Sequence, residues 1–293
     1  MPTLPEMHQR MLHWYRQHRR DLPWRASGAD AWGVLVSEVM LQQTPVARVE
    51  PIWRAWLERW PSPHHLAAAS PADVVRAWGR LGYPRRALRL RECAAAIVDR
   101  HGGAVPSSVD DLRALPGVGS YTAAAVAAFA HGARAVVLDT NVRRVLGRLL
   151  GGEALPAPTQ TRAEVGRAAA ALPADPATSV AWNVAVMELG ALVGTARSPQ
   201  CDSCPLADLC EWRSAGYPPD VHAGRRTTQP WHGTDRQARG RLMAVLRTLE
   251  TGTADEATLA EAWPPASQRT RALESLVADG LVEAVGGGYR LPG

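Results

Sequence analysis

The 293-residue sequence contains no lysine; all 33 of its basic residues are arginine. That absence removes every mechanism in which a lysine amine forms a Schiff base with substrate. Phenylalanine occurs once and tyrosine five times, against eleven tryptophans. Trp53, Trp56, Trp60 and Trp78 recur at helical spacing with leucine and read as packing residues. There are only four cysteines, Cys93, Cys201, Cys204 and Cys210. Three of them fall within ten residues, which in a cytosolic protein points to a metal or cluster site rather than to disulfides. No uncharged apolar run approaches the roughly 18 residues that a bilayer span requires, so no membrane association is expected. The start, MPTLPEMHQR, lacks the apolar stretch of a signal peptide, and a cytoplasmic, nucleoid-associated protein is expected.

What is present is a globular composition, 46% hydrophobic and 21% charged, at a length that suggests about two domains. The formal net charge is +5 and the isoelectric point lies near 9.4. Arginine and alanine richness also follows from a GC-rich genome. A basic chain without membrane signals nonetheless has nucleic acid as its default partner class, and we expect it to act as a monomer.

Apolar residues recur at a period of 3.6 over 6–19, 29–43, 45–59, 62–67, 71–80, 84–101, 108–114, 119–131, 139–150, 160–171 and 177–192. Leu22-Pro23-Trp24-Arg25 stops a helix, and Ser70 before Pro71 and Ser107 before Asp110 read as N-caps. The stretch 211–234, rich in Gly, Pro and Arg, reads as a linker. Beyond it come helices over 237–249, 256–263 and 268–278, closed by Asp279-Gly280. A hairpin follows, from Leu281–Val285 through Gly286–Gly288 to Tyr289–Leu291. This is a winged-helix order, with Arg269 and Arg271 on the helix that could face a DNA groove.

Three local patterns carry chemistry. Leu115-Pro116-Gly117-Val118-Gly119-Ser120-Tyr121-Thr122 joins two helical stretches through a tight turn. The free amides of the second helix then form a sequence-independent phosphate grip. Asp139, in Leu138-Asp139-Thr140-Asn141-Val142, opens a helix; it reads either as an N-cap or as a carboxylate that stabilises cationic charge on a sugar. Glu38 stands in Ser37-Glu38-Val39-Met40-Leu41-Gln42-Gln43-Thr44, in a helix apolar nearly all round. A carboxyl buried there tends towards its neutral form and suits general-acid work; pairing with a core arginine is the alternative.

On these residues, together with Leu81-Gly82-Tyr83 and the cysteine run, the chain resembles the helix-hairpin-helix DNA glycosylases of the endonuclease III superfamily, specifically the MutY-type adenine glycosylases. The resemblance covers about residues 6–215. It implies a mainly α, helix-hairpin-helix glycosylase fold in two helical subdomains, followed by a small winged-helix-like α+β domain. The expected division is 23–135 for the subdomain with the hairpin, 1–22 with 136–215 for the cysteine-bearing one, 216–234 for the linker and 235–293 for the last domain.

The resemblance also implies function. The partner would be double-stranded DNA carrying adenine opposite 8-oxoguanine or guanine, and the target base would be flipped out of the duplex. Glu38 matches the family's general acid and Asp139 the carboxylate that stabilises the oxocarbenium-like sugar, the two-carboxyl logic of glycoside hydrolysis. Tyr121 and Asn141 match polar residues that orient this pair. Gln43 and Tyr83 match side chains that wedge into the base stack, and Thr44 a contact to the opposite strand. Gln42, with Gly117, Val118, Gly119, Ser120 and Thr122, completes the expected DNA-contacting set. Where endonuclease III itself has a lysine after the hairpin, this chain has Tyr121, so a monofunctional glycosylase without lysine-dependent lyase chemistry is expected.

Three departures from the family stand out. Its cluster pattern, C-x6-C-x2-C-x5-C, is met by Cys201, Cys204 and Cys210, but Gly194 occupies the first position. A [4Fe–4S] cluster held by four cysteines therefore cannot form; a cluster with fewer cysteine ligands, a zinc ion or no metal are the alternatives, with Cys93 read as a core residue. Val184 stands where the family often has a glutamine that contacts adenine. The winged-helix-like segment replaces the NUDIX-like domain that many members carry. Two other functions follow from these departures: a related glycosylase for another mispaired or damaged base, or a lesion-binding protein whose catalysis has decayed.

Overall fold

Among the described residues, each of the eleven periodic segments forms a helix: α1 (Leu4–His18), α2 (Ala31–Leu41), α3 (Val46–Arg59), α4 (Pro63–Ala68), α5 (Pro71–Trp78), α6 (Arg85–His101), α7 (Val109–Arg113), α8 (Ser120–His131), α9 (Thr140–Gly151), α10 (Arg162–Ala171) and α11 (Pro176–Leu192). The structure, a computed structural model, describes residues 3–26, 28–226, 230–249 and 252–293. Ser70 caps α5 by accepting the Asp73 N–H, with Pro71 at the first helical position. In α7 the cap falls one residue later than expected: Ser108, not Ser107, accepts the Asp111 N–H at 3.1 Å. The region expected to be a linker opens with one helical turn, α12 (Glu211–Ser214), and residues 227–229 of it lie outside the described residues.

The chain divides into two units, Met1–Ala31 with Ser107–Leu112 and Gly119–Thr227, and Trp32–Pro106 with Arg113–Val118 and Thr228–Gly293. In the first, α1, α9, α10 and α11 enclose a core that includes Met11, Trp14, Leu146, Trp182 and Leu189. Burying each such side chain contributes about 1.5–3 kcal/mol. In the second, Trp56 lies edge-on to Trp60 and Trp78, with ring centroids 4.6 and 5.5 Å apart, which fixes α3 against α5.

The C-terminal segment belongs to the second unit. Its order is α13 (Asp235–Thr248), β1 (Ala254–Asp255), α14 (Glu256–Ala262), α15 (Ala266–Ala278), β2 (Glu283–Val285) and β3 (Gly288–Arg290), a winged-helix order. The hairpin turns on Gly286-Gly287, with Gly287 at φ +93°. Gly288 lies in the strand rather than in the turn, because β1 packs so close that a β-carbon there would meet the Ala254 carbonyl at 2.5 Å. The core of this segment includes Val75 of α5. Arg76 donates to the Leu249 carbonyl, Arg247 to that of Val75, and Arg85 pairs with Asp279.

Of the two arginines placed on the helix that could face a groove, Arg269 is held inside the protein and Arg271 is exposed. Arg269 is 7% exposed; it is bound to Glu256 and to the carbonyls of Trp263 and Pro264. Arg271 pairs with Asp235 at 3.2 Å.

Candidate active site

The expected residues divide between the two units. Glu38, Gln42, Gln43, Thr44 and Tyr83, with the turn residues Gly117 and Val118, lie in the second; Gly119, Ser120, Tyr121, Thr122, Asp139, Asn141 and the three clustered cysteines lie in the first.

α2 is buried at every residue from Trp32 to Met40. Two indoles pin it: Trp32 donates to the Trp60 carbonyl at 3.0 Å, and Trp53 to that of Gly33 at 2.9 Å. Glu38, 6% exposed, is thus a carboxyl on an apolar helix held from several sides. The helix ends at Leu41, two residues short of the expected end, because Gln43 adopts φ +55°. Tyr83, in the loop before α6, adopts φ +47°. Both side chains are exposed, Tyr83 at 51%. Left-handed backbone at a non-glycine residue is strained and needs support from its surroundings.

The support here is Arg86, whose guanidinium donates to the carbonyls of Val39, Met40 and Gln42 on one side and of Leu81 and Gly82 on the other. Thr44 completes the junction: its hydroxyl, inside the protein, donates to the Leu81 carbonyl at 3.0 Å and accepts from Arg86. Arg86 also lies over the rings of Trp78 and Tyr83. It is an internal tie rather than a solvated phosphate contact, and burial lowers its pKa to about 10.

The hairpin forms as expected. Val118 donates its N–H to the Leu115 carbonyl at 3.2 Å, with Pro116 and Gly117 at the turn's centre. Gly117 has φ +75°, as a type II turn requires, and a β-carbon there would lie 3.1 Å from that of Arg89. α8 then opens with Gly119 as its N-cap, which has no side chain to cap the helix.

Asp139 is the N-cap of α9, the first of the two roles open to it in the sequence. One carboxylate oxygen caps α9 by accepting the Val142 N–H at 2.6 Å; the other accepts from the Asn141 amide at 2.9 Å. Arg144 in turn donates to the Asn141 side-chain oxygen and to the Gly190 carbonyl, each at 2.7 Å. Gly190 is required by contact, since a β-carbon there would sit 2.7 Å from that of Asn141. Burial pushes the Asp139 pKa up; the Val142 and Asn141 hydrogen bonds and the Arg144 charge pull against it. Neither Arg144 nor Gly190 stood out in the sequence. A glycine interrupting the apolar pattern of α11 was the one available signal.

Glu188 explains the Leu22-Pro23-Trp24-Arg25 turn. Its fully buried carboxylate receives Arg20, through backbone and side chain, and Arg25 at 2.8 Å. Burial pushes its pKa up, but the two arginines outweigh this and hold it at about 2.

Cys201, Cys204 and Cys210 line one cavity together with Arg148, Gly194 and Trp212. Among the described residues, no three His, Cys, Asp or Glu side chains are gathered closely enough to hold a single metal ion. Three thiols spread around one cavity suit a multi-iron cluster better than a zinc ion, whose sulfur ligands must all lie about 2.3 Å from one point. Gly194 forms part of the wall, and its carbonyl is held by Arg144 and Arg148. A β-carbon at 194 would find ordinary contact, 3.4 Å from Val145 and 3.5 Å from the Leu189 carbonyl, so the wall has room for a side chain. Cys93 is a core residue of α6, its thiol pushed up to about 12 by burial.

Known proteins resemble this chain over most of its length. Residues 36–170 match the HhH-GPD superfamily of base excision DNA repair proteins, and residues 195–210 the iron–sulfur binding domain of endonuclease III, a match that holds all three clustered cysteines and begins just after Gly194. The adenine DNA glycosylase of Mycolicibacterium smegmatis is 54% identical over 95% of this chain and 93% of its own; that of Homo sapiens is 43% identical over 69% of this chain and 38% of its own. Among solved structures, a thermostable thymine-DNA glycosylase superposes with a TM-score of 0.65 at 25% identity, covering 72% of this chain and 97% of the other. A non-covalent endonuclease III–DNA complex superposes with a TM-score of 0.61 at 25% identity, over 74% of this chain and all of the other. An iron–sulfur binding segment, a helix-hairpin-helix core and a fixed Asp139–Asn141 pair accompany this identity, and the chain belongs to the adenine DNA glycosylase family of the HhH-GPD base excision repair proteins.

Proposed function

We propose that the chain hydrolyses the N-glycosidic bond of adenine opposite 8-oxoguanine or guanine in duplex DNA, as a monofunctional glycosylase. Glu38 delivers a proton to a ring nitrogen, so that adenine leaves as a neutral base. Asp139, ionised, stabilises the oxocarbenium-like sugar left behind. Asn141 holds one Asp139 oxygen, and Tyr121 helps orient the pair and the water that adds to the sugar. The amides from Gly119 to Thr122 grip backbone phosphate at the start of α8, beside the turn made by Gly117 and Val118. Gln43 and Tyr83 wedge into the base stack, with Gln42 beside them against the opposite strand and the buried Thr44 hydroxyl holding the junction behind them. With no lysine in the chain, strand scission through a lysine Schiff base has no nucleophile.

The observation that carries this reading is the Asp139 geometry: both oxygens are engaged by neutral donors, so the group is oriented without being neutralised by a direct ion pair. Cys201, Cys204 and Cys210 would hold an iron–sulfur cluster with three cysteine ligands, and its iron–thiolate bonds would tie the 201–210 loop together when bound.

The test is a single-turnover assay on duplexes with adenine opposite 8-oxoguanine. Free adenine should be released, and the strand should break only after alkali. Strand scission without alkali would refute the monofunctional assignment. Val184 supports a second reading, activity on another base, because valine cannot hydrogen-bond adenine. Thymine/uracil and thymine glycosylases of Pyrobaculum aerophilum and Aeropyrum pernix are 38% and 36% identical to this chain. Release of thymine or uracil with adenine untouched would establish it.

A further inference from the structure

Resting on the wedge reading above, we infer that Arg86 is a positioning residue that couples the Gln43 and Tyr83 loops into one preformed wedge. The two residues are 40 positions apart, yet each is exposed, each has a left-handed backbone, and each follows carbonyls that Arg86 gathers. On the Gln43 side these are Met40 at 3.1 Å and Gln42 at 2.7 Å. On the Tyr83 side the Gly82 carbonyl lies at 3.0 Å. Nη2 also donates to the Thr44 hydroxyl at 3.1 Å, and that hydroxyl donates on to Leu81, so a second path joins the same two loops.

The Thr44 hydroxyl reaches one carbonyl on each side, those of Gln42 and Leu81, whereas Arg86 gathers several on each. Among the described residues the Arg86 Nε has no partner, so the two Nη groups make all of these contacts. A planar fork can serve two divergent sets of carbonyls at once, whereas an ammonium group cannot span them. Because the strain at Gln43 and Tyr83 is relieved in the free protein by one shared group, loosening one loop loosens the other. Insertion of the two side chains is then cooperative rather than independent.

The experiment is a double-mutant cycle on affinity for a duplex with adenine opposite 8-oxoguanine, using Gln43→Ala, Tyr83→Ala and the pair, each with and without Arg86→Met. The fluorescence of 2-aminopurine placed beside the lesion reports unstacking directly. With Arg86 in place, the two losses should be non-additive by roughly tenfold. With Arg86→Met they should become additive, and the 2-aminopurine signal should fall even though Gln43 and Tyr83 are intact. Arg86→Lys, which keeps the charge but not the fork, should also be additive, which separates geometry from charge and serves should Arg86→Met not fold by thermal melting. If the two losses are additive with Arg86 present, the coupling is refuted while the wedge reading stands. If Gln43→Ala and Tyr83→Ala each leave affinity and fluorescence unchanged, the wedge reading itself fails.

Discussion

The region around Glu38 and the region around Asp139 hold a carboxyl by opposite means. Glu38 sits on a helix in which nine successive residues are buried, fixed by two indole hydrogen bonds and by Arg86 at its C-terminal end. Asp139 sits at a helix start, fixed by a backbone N–H and an amide, with an arginine one residue removed. At Asp139 burial favours the neutral form, and the Val142 and Asn141 hydrogen bonds and the Arg144 charge pull against it; Glu38 is buried in the middle of its helix. A pair of carboxyls is divided into acid and anion by such a difference in environment. The two groups differ in how the chain holds them, and the acid and anion roles proposed for them rest on that difference.

The comparison can be broken most severely at Asp139. Asp139→Asn keeps a capping oxygen but removes the charge, so single-turnover excision should fall about 10³-fold while the unfolding midpoint changes little. In the parent, the raised pKa places the acid limb of the pH–rate profile above the range of an ordinary aspartate, because the rate is lost as Asp139 gains its proton.

Next in size is the Glu188 network. Its carboxyl is lowered in the folded state to about 2, so its contribution is present above the unfolded value near 4.5 and is lost as pH falls towards 2. Glu188→Gln should remove on the order of 3 kcal/mol near neutral pH and flatten the stability–pH curve in that window, read by urea denaturation. Gly190→Ala presses a methyl on Asn141 and should slow excision by about tenfold or more, with about 1–3 kcal/mol lost in stability. Smallest is Arg85→Ala, which removes a half-exposed pair with Asp279 and should change stability by about 0–1 kcal/mol, in proportion to how little exposed pairs contribute.

The helices, the hairpin turn and the winged-helix order were readable because each is written in neighbouring residues: a 3.6 period, a Pro-Gly pair, a Ser before Pro. Asp139 and Asn141 were readable for the same reason, being two residues apart. The arginines were not. Arg86 bonds carbonyls up to 47 residues away and Arg144 up to 50, and a carbonyl has no sequence identity. No local pattern tells that Arg143 holds Glu164 or that the adjacent Arg144 is buried. Arg269 was misassigned on the same ground, since its partner Glu256 lies a helix away. Strand β1 escaped notice because two residues carry no period; its trace was the glycine at 288. In a chain without lysine, the five-donor fork does the work of gathering main-chain acceptors.

The division of roles between the two carboxyls is tested most directly by Glu38→Gln in a single-turnover assay with saturating enzyme on a duplex carrying adenine opposite 8-oxoguanine. The account predicts that adenine release falls about 10³-fold while affinity for the duplex stays within about threefold of the parent. Release at the parental rate would contradict it, because an amide has no proton of comparable acidity to give.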